Sequence, residues 1–487
     1  MSRPHVVVLG DVVLDRDVDG RVDRLSPDAP VPVVDVTGTR QSPGGAGLAA
    51  VLCAASGARV TLVAPVADDE AGRQLAAQLT EHVELIALPH EGATRRKTRV
   101  RTGGRSLVRL DDGGPGTPTA VPTDVVAAVL AQADAVLVSD YGAGVTRSPE
   151  LRTLLTEAAQ HTVVVWDPHP RGGAPVPGVT LVTPNLAEAH GAADRDGAAP
   201  DVLARRLADQ WAARAVCVTA GADGAFLAPR AAEVTFVPAA AATGDPCGAG
   251  DRFAVTATIA LARGTLLSAA VEMAVRDASA WVAAGGAEGF REYTAASAEG
   301  TRPGGFTTAS AQPRTPTAPG PAAAGPEPSV TGDLSELGVR LRADGGTLVA
   351  TGGCFDIVHA GHVATLQAAR RLGDHLVVLI NSDASVTRLK GAGRPVVPAA
   401  DRARVLEAFD CVDAVVVFEE DDPRQALARL RPDVWAKGGD YGAAELPETA
   451  TVTEHGGRVI LLPYLGGRST TTIIERSGLA RAGGGTE

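Results

Sequence analysis

The sequence predicts an α/β protein of two unlike domains: a doubly wound sheet with a small accessory sheet, followed by a smaller α/β domain. Three observations carry this. Short runs of Val, Leu and Ile that end in polar or glycine-containing turns alternate with helix-patterned segments along most of the chain, as in a parallel sheet covered on both faces. The 487 residues exceed what one hydrophobic core ordinarily serves. Residues 293–332 are rich in Pro, Gly, Ala, Ser and Thr with almost no large apolar side chain. Such a stretch cannot bury a core, so it reads as a flexible linker between domains at 1–292 and 333–487.

The first strand is His5-Val6-Val7-Val8-Leu9, ending at Gly10-Asp11. It is no dinucleotide fingerprint, because Gly-x-Gly-x-x-Gly is absent. Val31 to Val36, Thr98 to Arg101 and Ser106 to Leu110 alternate apolar with polar residues, which suits the exposed strands of an accessory sheet. Between them Pro43-Gly44-Gly45-Ala46-Gly47 opens an Ala-rich helix; its glycines permit close approach of a ligand, and a plain helix start is the alternative. Further strands are expected at Ala135–Asp140, Val163–Asp167, Thr180–Asn185 and Ala215–Thr219. Ligands of open α/β sheets bind at the carboxyl ends of such strands.

Two stretches of this half carry chemistry. Asn185-Leu186-Ala187-Glu188 starts a helix and equally fits a capping box. In Thr243-Gly244-Asp245-Pro246-Cys247-Gly248-Ala249-Gly250-Asp251, the glycines can turn backbone N–H groups toward an anion at a helix N-terminus. There Asp251 is placed to act as a base, or else serves only as the N-cap. No Walker motif is present, so phosphate binding here is not of the P-loop type.

In the second half strands are expected at Leu348–Ala350, Leu376–Ile380, Ala414–Phe418, Asp433–Ala436 and Val459–Leu462. The first leads into Thr351-Gly352-Gly353-Cys354-Phe355-Asp356-Ile357-Val358-His359-Ala360-Gly361-His362. This is a strand, a tight turn and a helix, whose N-terminus attracts phosphate. His359 and His362, three apart, can face the same way. Alternatives are a zinc pair, which lacks further Cys or His ligands nearby, and two surface histidines. The chain has only three lysines, Lys97, Lys390 and Lys437, and the last two each lie beside glycine. Lysine in such a place is a compact point charge for phosphate.

Composition excludes other classes. A net charge of −12 with 3% aromatic residues argues against a nucleic-acid partner. No run of about twenty apolar residues exists, so no membrane partner or span is expected. The N-terminus lacks the pattern of a signal peptide. The five cysteines are widely spaced without a Cys-x-x-Cys pair, which suggests reduced thiols, a cytoplasmic location and no resident metal.

Gly353-Cys354-Phe355-Asp356-Ile357-Val358-His359-Ala360-Gly361-His362 resembles the signature Gly-x-Phe-Asp-x-x-His-x-Gly-His of nucleotidyltransferases that act on phosphorylated small molecules. Gly10-Asp11, Gly44-Gly45, Asn185-x-x-Glu188 and Gly248-Ala249-Gly250-Asp251 resemble, in order, the motifs of ribokinase-type carbohydrate kinases. Together with Leu25 to Val34, Asn381 to Val386 and Lys437-Gly438-Gly439-Asp440-Tyr441, they resemble the bifunctional family that makes ADP-heptose. The resemblance implies a ribokinase-like domain with a β lid and a Rossmann-like nucleotidyltransferase domain.

It further implies phosphorylation of heptose 7-phosphate at C1 with ATP and Mg2+, then adenylyl transfer from ATP to heptose 1-phosphate. Asp251, His359 and His362 would be catalytic. Asn185, Glu188, Gly248, Ala249 and Gly250 would bind ATP in the kinase, and Asp11, Gly44 and Gly45 the sugar. Gly353, Cys354, Phe355, Lys390, Lys437, Ser469 and Thr470 would hold nucleotide and phosphate in the transferase. A homodimer through the kinase domain is implied too, as is a separate phosphatase, because the first product carries a phosphate that the second site does not accept. Asp17-Val18-Asp19-Gly20 resembles the paired aspartates of haloacid-dehalogenase-type phosphatases but lacks their strand context. Leu48, Cys247 and Gly352 depart from the residues usual in the family, which are Asn, Thr and Asn. The competing readings are a sugar kinase fused to a cytidylyltransferase for another phosphorylated alcohol, and an N-terminal domain that is a non-catalytic scaffold.

Overall fold

The computed structural model describes residues 3–103, 105–291, 333–439 and 446–463. The expected linker therefore lies outside the described residues. The chain divides into two compact units, which among the described residues comprise 3–230 with 237–291, and 231–236 with 333–463.

In the first unit the strands are β1 (His5–Gly10), β2 (Val12–Leu25), β3 (Pro32–Gly45), β4 (Arg59–Pro65), β5 (Glu84–Leu88), β6 (His90–Thr102), β7 (Arg105–Pro118), β8 (Ala135–Ser139), β9 (Val163–Asp167), β10 (Leu181–Val182), β11 (Ala215–Thr219) and β12 (Gly224–Pro229). The main sheet has the order β12-β11-β10-β9-β8-β1-β4-β5. All its pairings are parallel except β11 with β12. β1 and β8 are buried along their whole length, which is why they read as unbroken apolar runs. Strand order reverses at β1, which lies between β4 and β8. A crevice at its carboxyl end is where an open sheet of this kind binds ligands.

The accessory sheet is larger than the sequence suggests. Its order is β3-β2-β6-β7, with β2 and β3 each 14 residues long. Under the main sheet, helices Ala46–Ala55 and Ala249–Ala262 pack together. The small side chains Ala46, Ala49, Ala50, Ala254 and Ala257, all buried, let these backbones approach. Leu137, Val165, Cys217, Phe253, Ile259 and Trp281 complete that core.

β13 (Val234–Pro238) lies at the division between the units. The second unit contains β14 (Leu348–Gly353), β15 (His375–Asn381), β16 (Ala414–Phe418), β17 (Val434–Gly438) and β18 (Arg458–Leu462), ordered β16-β15-β14-β17-β18 and all parallel. Its core gathers Leu348, Ala350, Val377, Leu379, Leu430 and Trp435. Order reverses at β14, flanked by β15 and β17. The stretch that begins at Thr351 thus leaves the sheet at its switch point.

Candidate active sites

The kinase-like site assembles around the ends of β1 and β8. Gly10 is required there, because a Cβ would stand 2.0 Å from the Ser139 carbonyl. The Asp11 carboxylate is buried and accepts from the amides of Tyr141, Ala143 and Val145 at 3.0, 3.0 and 3.3 Å. It is therefore engaged in fixing the loop after β8. Gly44 and Gly45 end β3, and helix Ala46–Ala55 follows directly. Gly45 has φ +60°, and a Cβ on it would lie 2.5 Å from the Asp11 carbonyl. A Cβ on Gly44 would meet the Asp15 carboxylate at 2.6 Å. Leu48 sits against Gly248, so motifs two hundred residues apart in sequence meet here.

Gly248, with φ +78°, is the N-cap of helix Ala249–Ala262. The alternative that Asp251 is merely the N-cap is thereby corrected: Asp251 is the helix's third residue, and its side chain is turned to other work. It accepts from the Tyr141 hydroxyl at 2.8 Å to each oxygen. Burial pushes its carboxyl up to about 6, against the opposing effects of the Tyr141 hydrogen bond and the Lys97 charge. The Lys97 ammonium lies 4.9 Å from the centre of the Tyr141 ring.

Asn185 and Glu188 form the capping box reciprocally, at 2.9 and 3.0 Å. Burial raises the Glu188 carboxyl. Asp167, at the end of β9, is raised well above the usual carboxylate range by burial and then by the charges of Asp251 and Glu188. The site thus concentrates negative charge that a cation arriving with ATP would relieve. Beside Ala249 and Gly250 opens a cleft of about 330 Å3, lined mainly by Ala, Gly and apolar residues such as Ala222, Ala239, Pro246, Phe253 and Val282. An apolar cleft next to an anion-binding helix end suits a nucleotide, base in the cleft and phosphates at the amides.

Sequence reasoning gave no role here to Asp15, Lys97, Tyr141 or Asp167. Tyr141 and Asp167 stand at or just past the ends of β8 and β9, next to the switch point, and that position was the available signal. Asp17 and Asp19 lie within β2. Asp17 pairs with Arg291 at 2.5 Å, and Asp19 with Arg40 at 3.3 Å, so both serve as ion-pair partners in the lid.

In the second unit, Gly353 ends β14 and the backbone turns through Phe355 at φ +46°. Asp356 is buried and holds the turn by accepting from the amides of Val396 and Val397 at 2.6 and 3.0 Å and from Arg394. His359 is the N-cap of helix Ala360–Arg370. The Gly361 amide donates to His359 Nδ1 at 3.1 Å, and the His359 amide to His362 Nδ1 at 3.4 Å. Both Nδ1 atoms being acceptors, Nε2 carries the proton in each neutral ring. The rings stack with centroids 3.9 Å apart, and Phe355 lies 5.0 Å from His362. Burial, then the neighbouring His359, lowers His362 to about 4.

Lys437, near the end of β17, donates to Glu448 at 2.8 Å. Lys390, the last residue of helix Asp383–Lys390, is exposed, and its charge reaches the half-buried Cys354 thiol. Arg402, fully buried, braces the turn by donating to the carbonyls of Cys354, Val397 and Asn381 and to Asp383. Gly352 explains one departure from the family pattern: a Cβ there would stand 2.8 Å from the Trp435 ring. Ser469, Thr470, Asp440 and Tyr441 lie outside the described residues. Among the described residues no group of three or more His, Cys, Asp or Glu is arranged to hold a metal ion.

Residues 3–292 match the pfkB family carbohydrate kinases, and residues 350–476 match a cytidylyltransferase-like family. A bifunctional protein HldE from Streptomyces coelicolor is 50% identical over 483 residues, covering 98% of this chain and 97% of the relative. The chain belongs to the HldE family. Other HldE proteins, from Halorhodospira halophila and Alkalilimnicola ehrlichii, are 40% and 39% identical over 97% and 98% of this chain and 97% of each relative. As an HldE-family member it is a bifunctional enzyme, a carbohydrate kinase and a nucleotidyltransferase.

Proposed function

We propose that the kinase half phosphorylates D-glycero-D-manno-heptose 7-phosphate at C1, and that the transferase half joins heptose 1-phosphate to AMP from ATP, giving ADP-heptose and pyrophosphate. One observation carries the reading. In a chain alike over its whole length to bifunctional HldE proteins, a buried carboxylate at a glycine-capped helix end and a stacked histidine pair at a second helix end each stand at a sheet's switch point.

In the kinase half, Asp251 takes the proton of the attacking hydroxyl while the amides of Gly248, Ala249 and Gly250 receive the charge of the transferred phosphoryl group. Gly44 and Gly45 admit the sugar close to the backbone, over the loop that Asp11 fixes. Magnesium enters with ATP as part of the substrate and neutralises phosphate charge, with Asn185 and Glu188 on its side of the site. A carboxyl held near 6 is suited to a base at neutral pH, which weighs against a non-catalytic scaffold.

In the transferase half the sugar phosphate attacks the α-phosphorus and pyrophosphate leaves. His359 and His362 donate through Nε2 to the phosphates as their charge develops, aided by Lys390 and Lys437. Gly353, Cys354 and Phe355 supply the turn that brings backbone near the nucleotide, and Ser469 and Thr470 would add hydroxyl donors.

A separate phosphatase acts between the two steps. A homodimer through the kinase half is supported by the exposed apolar residues Val36 on one edge of the accessory sheet and Leu107, Val108 and Leu110 on the other. No helix among the described residues is long and apolar enough to cross a membrane, and all five cysteines are free thiols, which supports a cytoplasmic enzyme. The test is to offer heptose 1-phosphate with each of ATP, CTP, GTP and UTP. ADP-heptose as the dominant product is expected; a preference for CTP would overturn the adenylyl assignment.

A further inference from the structure

Asp251 is held by a neighbour that the motifs do not contain. The Tyr141 hydroxyl stands 2.8 Å from both carboxylate oxygens, and Tyr141 is itself fixed from two other directions. Its amide donates to Asp11 at 3.0 Å. Its ring carries the Lys97 ammonium 4.9 Å from the centroid. Lys97 comes from β6 of the accessory sheet, where it stands opposite Asp15 of β2 and Asp111 of β7. A cation on the face of a phenol draws electron density from the ring and makes its hydroxyl a better donor. One arm of this arrangement belongs to the lid, another to the loop after β8, and both end on the catalytic carboxylate.

We propose that Tyr141, with Lys97 over its ring, is the positioning pair of the kinase reaction: the phenol holds the Asp251 carboxylate in its reactive orientation and yields one oxygen to the acceptor hydroxyl. The inference rests on the kinase reading above and adds the device that readies its base. During transfer the acceptor oxygen forms a bond to the γ-phosphorus, and the bond from that phosphorus to the bridging oxygen breaks, its electron pair leaving on ADP. The acceptor proton passes to Asp251. Tyr141 keeps its own proton throughout, since burial and the Asp251 charge push its hydroxyl well above the ordinary phenol value.

The charged groups that face Asp251 come from several elements: Lys97 on β6 favours its ionised form, Asp15 on β2 opposes it, and Asp167 on β9 shares its buried surroundings. Removing the phenol donor therefore leaves the carboxylate less favoured, and the carboxyl keeps its proton to higher pH.

The experiment compares the parent enzyme with Tyr141→Phe, Lys97→Met and Asp251→Asn in the full chain, measuring kinase kcat/KM for heptose 7-phosphate between pH 5 and 9. For Tyr141→Phe the acid limb is expected to rise by about one pH unit and kcat to fall about tenfold, with KM for ATP nearly unchanged. Lys97→Met should move the limb the same way by a smaller amount. Adenylyl transfer by the same preparations is expected at the parent rate and fixes the amount of intact chain, while an unchanged calorimetric transition of the kinase unit reports its fold. An acid limb of Tyr141→Phe that coincides with the parent's, at any amplitude, means the tyrosine only packs, and the inference falls while the kinase reading stands. Undiminished kinase turnover by Asp251→Asn removes the base itself, and both fall together.

Discussion

Asp251→Asn should abolish sugar phosphorylation and at the same time make the kinase unit more stable at pH 8. The carboxyl is raised from 3.8 to about 6, chiefly by burial. A shift of about two units at 1.36 kcal/mol each means that holding the ionised form in the fold costs up to about 3 kcal/mol. The folded value lies above the unfolded one, so the unfolded chain releases its proton first as pH rises. The penalty is therefore absent well below pH 4, grows between about 4 and 6, and is constant above. Asparagine has no such ionisation and keeps one oxygen for the Tyr141 hydroxyl, although its new N–H groups need acceptors, at a cost of about 1–2 kcal/mol. A net gain of about 1–2 kcal/mol at pH 8 follows, or a few degrees in Tm. Scanning calorimetry of the full chain at pH 8 and pH 5 reads it out, with the ionisation penalty reduced to about half at the lower pH. A variant less stable than the parent at pH 8, or a difference that does not shrink at pH 5, would refute the buried, costly base.

In the transferase half, His362→Ala should lower adenylyl-transfer kcat more than tenfold, about 1.4 kcal/mol, and leave kinase turnover unchanged; an effect confined to KM for ATP contradicts the role. Because burial and His359 lower His362 to about 4, anionic phosphates beside it should raise that value. ATP binding at pH 6 is then expected to take up a proton that His362→Ala does not, seen as buffer-dependent binding heat; equal buffer dependence in both proteins argues against it. Gly352→Asn, the residue usual in the family, should cost about 1–3 kcal/mol through overlap with the Trp435 ring, and an unchanged urea midpoint would count against that packing. Arg402→Met should remove adenylyl transfer with the kinase intact, since it takes the donor from the buried Asn381 carbonyl and the part-buried carbonyls of Cys354 and Val397; normal transfer by this variant would show that the turn does not need the brace.

What could be read directly from sequence was whatever repeats a simple period or a local motif. β1, β8, β9, β15 and β16 are unbroken apolar runs, and each lies within about a residue of its expected place. β2 was hidden because Val12–Leu25 is full of Asp and Arg. Those charges are tolerated in a strand since they find partners, Asp15 with Arg99 of β6 and Asp17 with Arg291 from outside the accessory sheet. The histidine pair was legible because N-cap and third residue are neighbours on one helix turn. Tyr141 was not, because its link to Asp251 joins residues 110 apart and only the packing of helix Ala249–Ala262 against β8 and β9 brings them together. At Asn185 and Glu188 the capping box forms, and Glu188 also adds charge to the Asp167 cluster.

If one chain holds two phosphate-transfer sites for successive sugar phosphates, with a dephosphorylation between them, the product formed without a phosphatase is fixed. Mass spectrometry of the purified enzyme's products from heptose 7-phosphate, ATP and magnesium reads that product out. The expected result is accumulation of the 1,7-bisphosphate, with ADP-heptose formed only when a separate phosphatase is added. ADP-heptose as the main product without that addition, or no phosphorylation of heptose 7-phosphate at all, would contradict it.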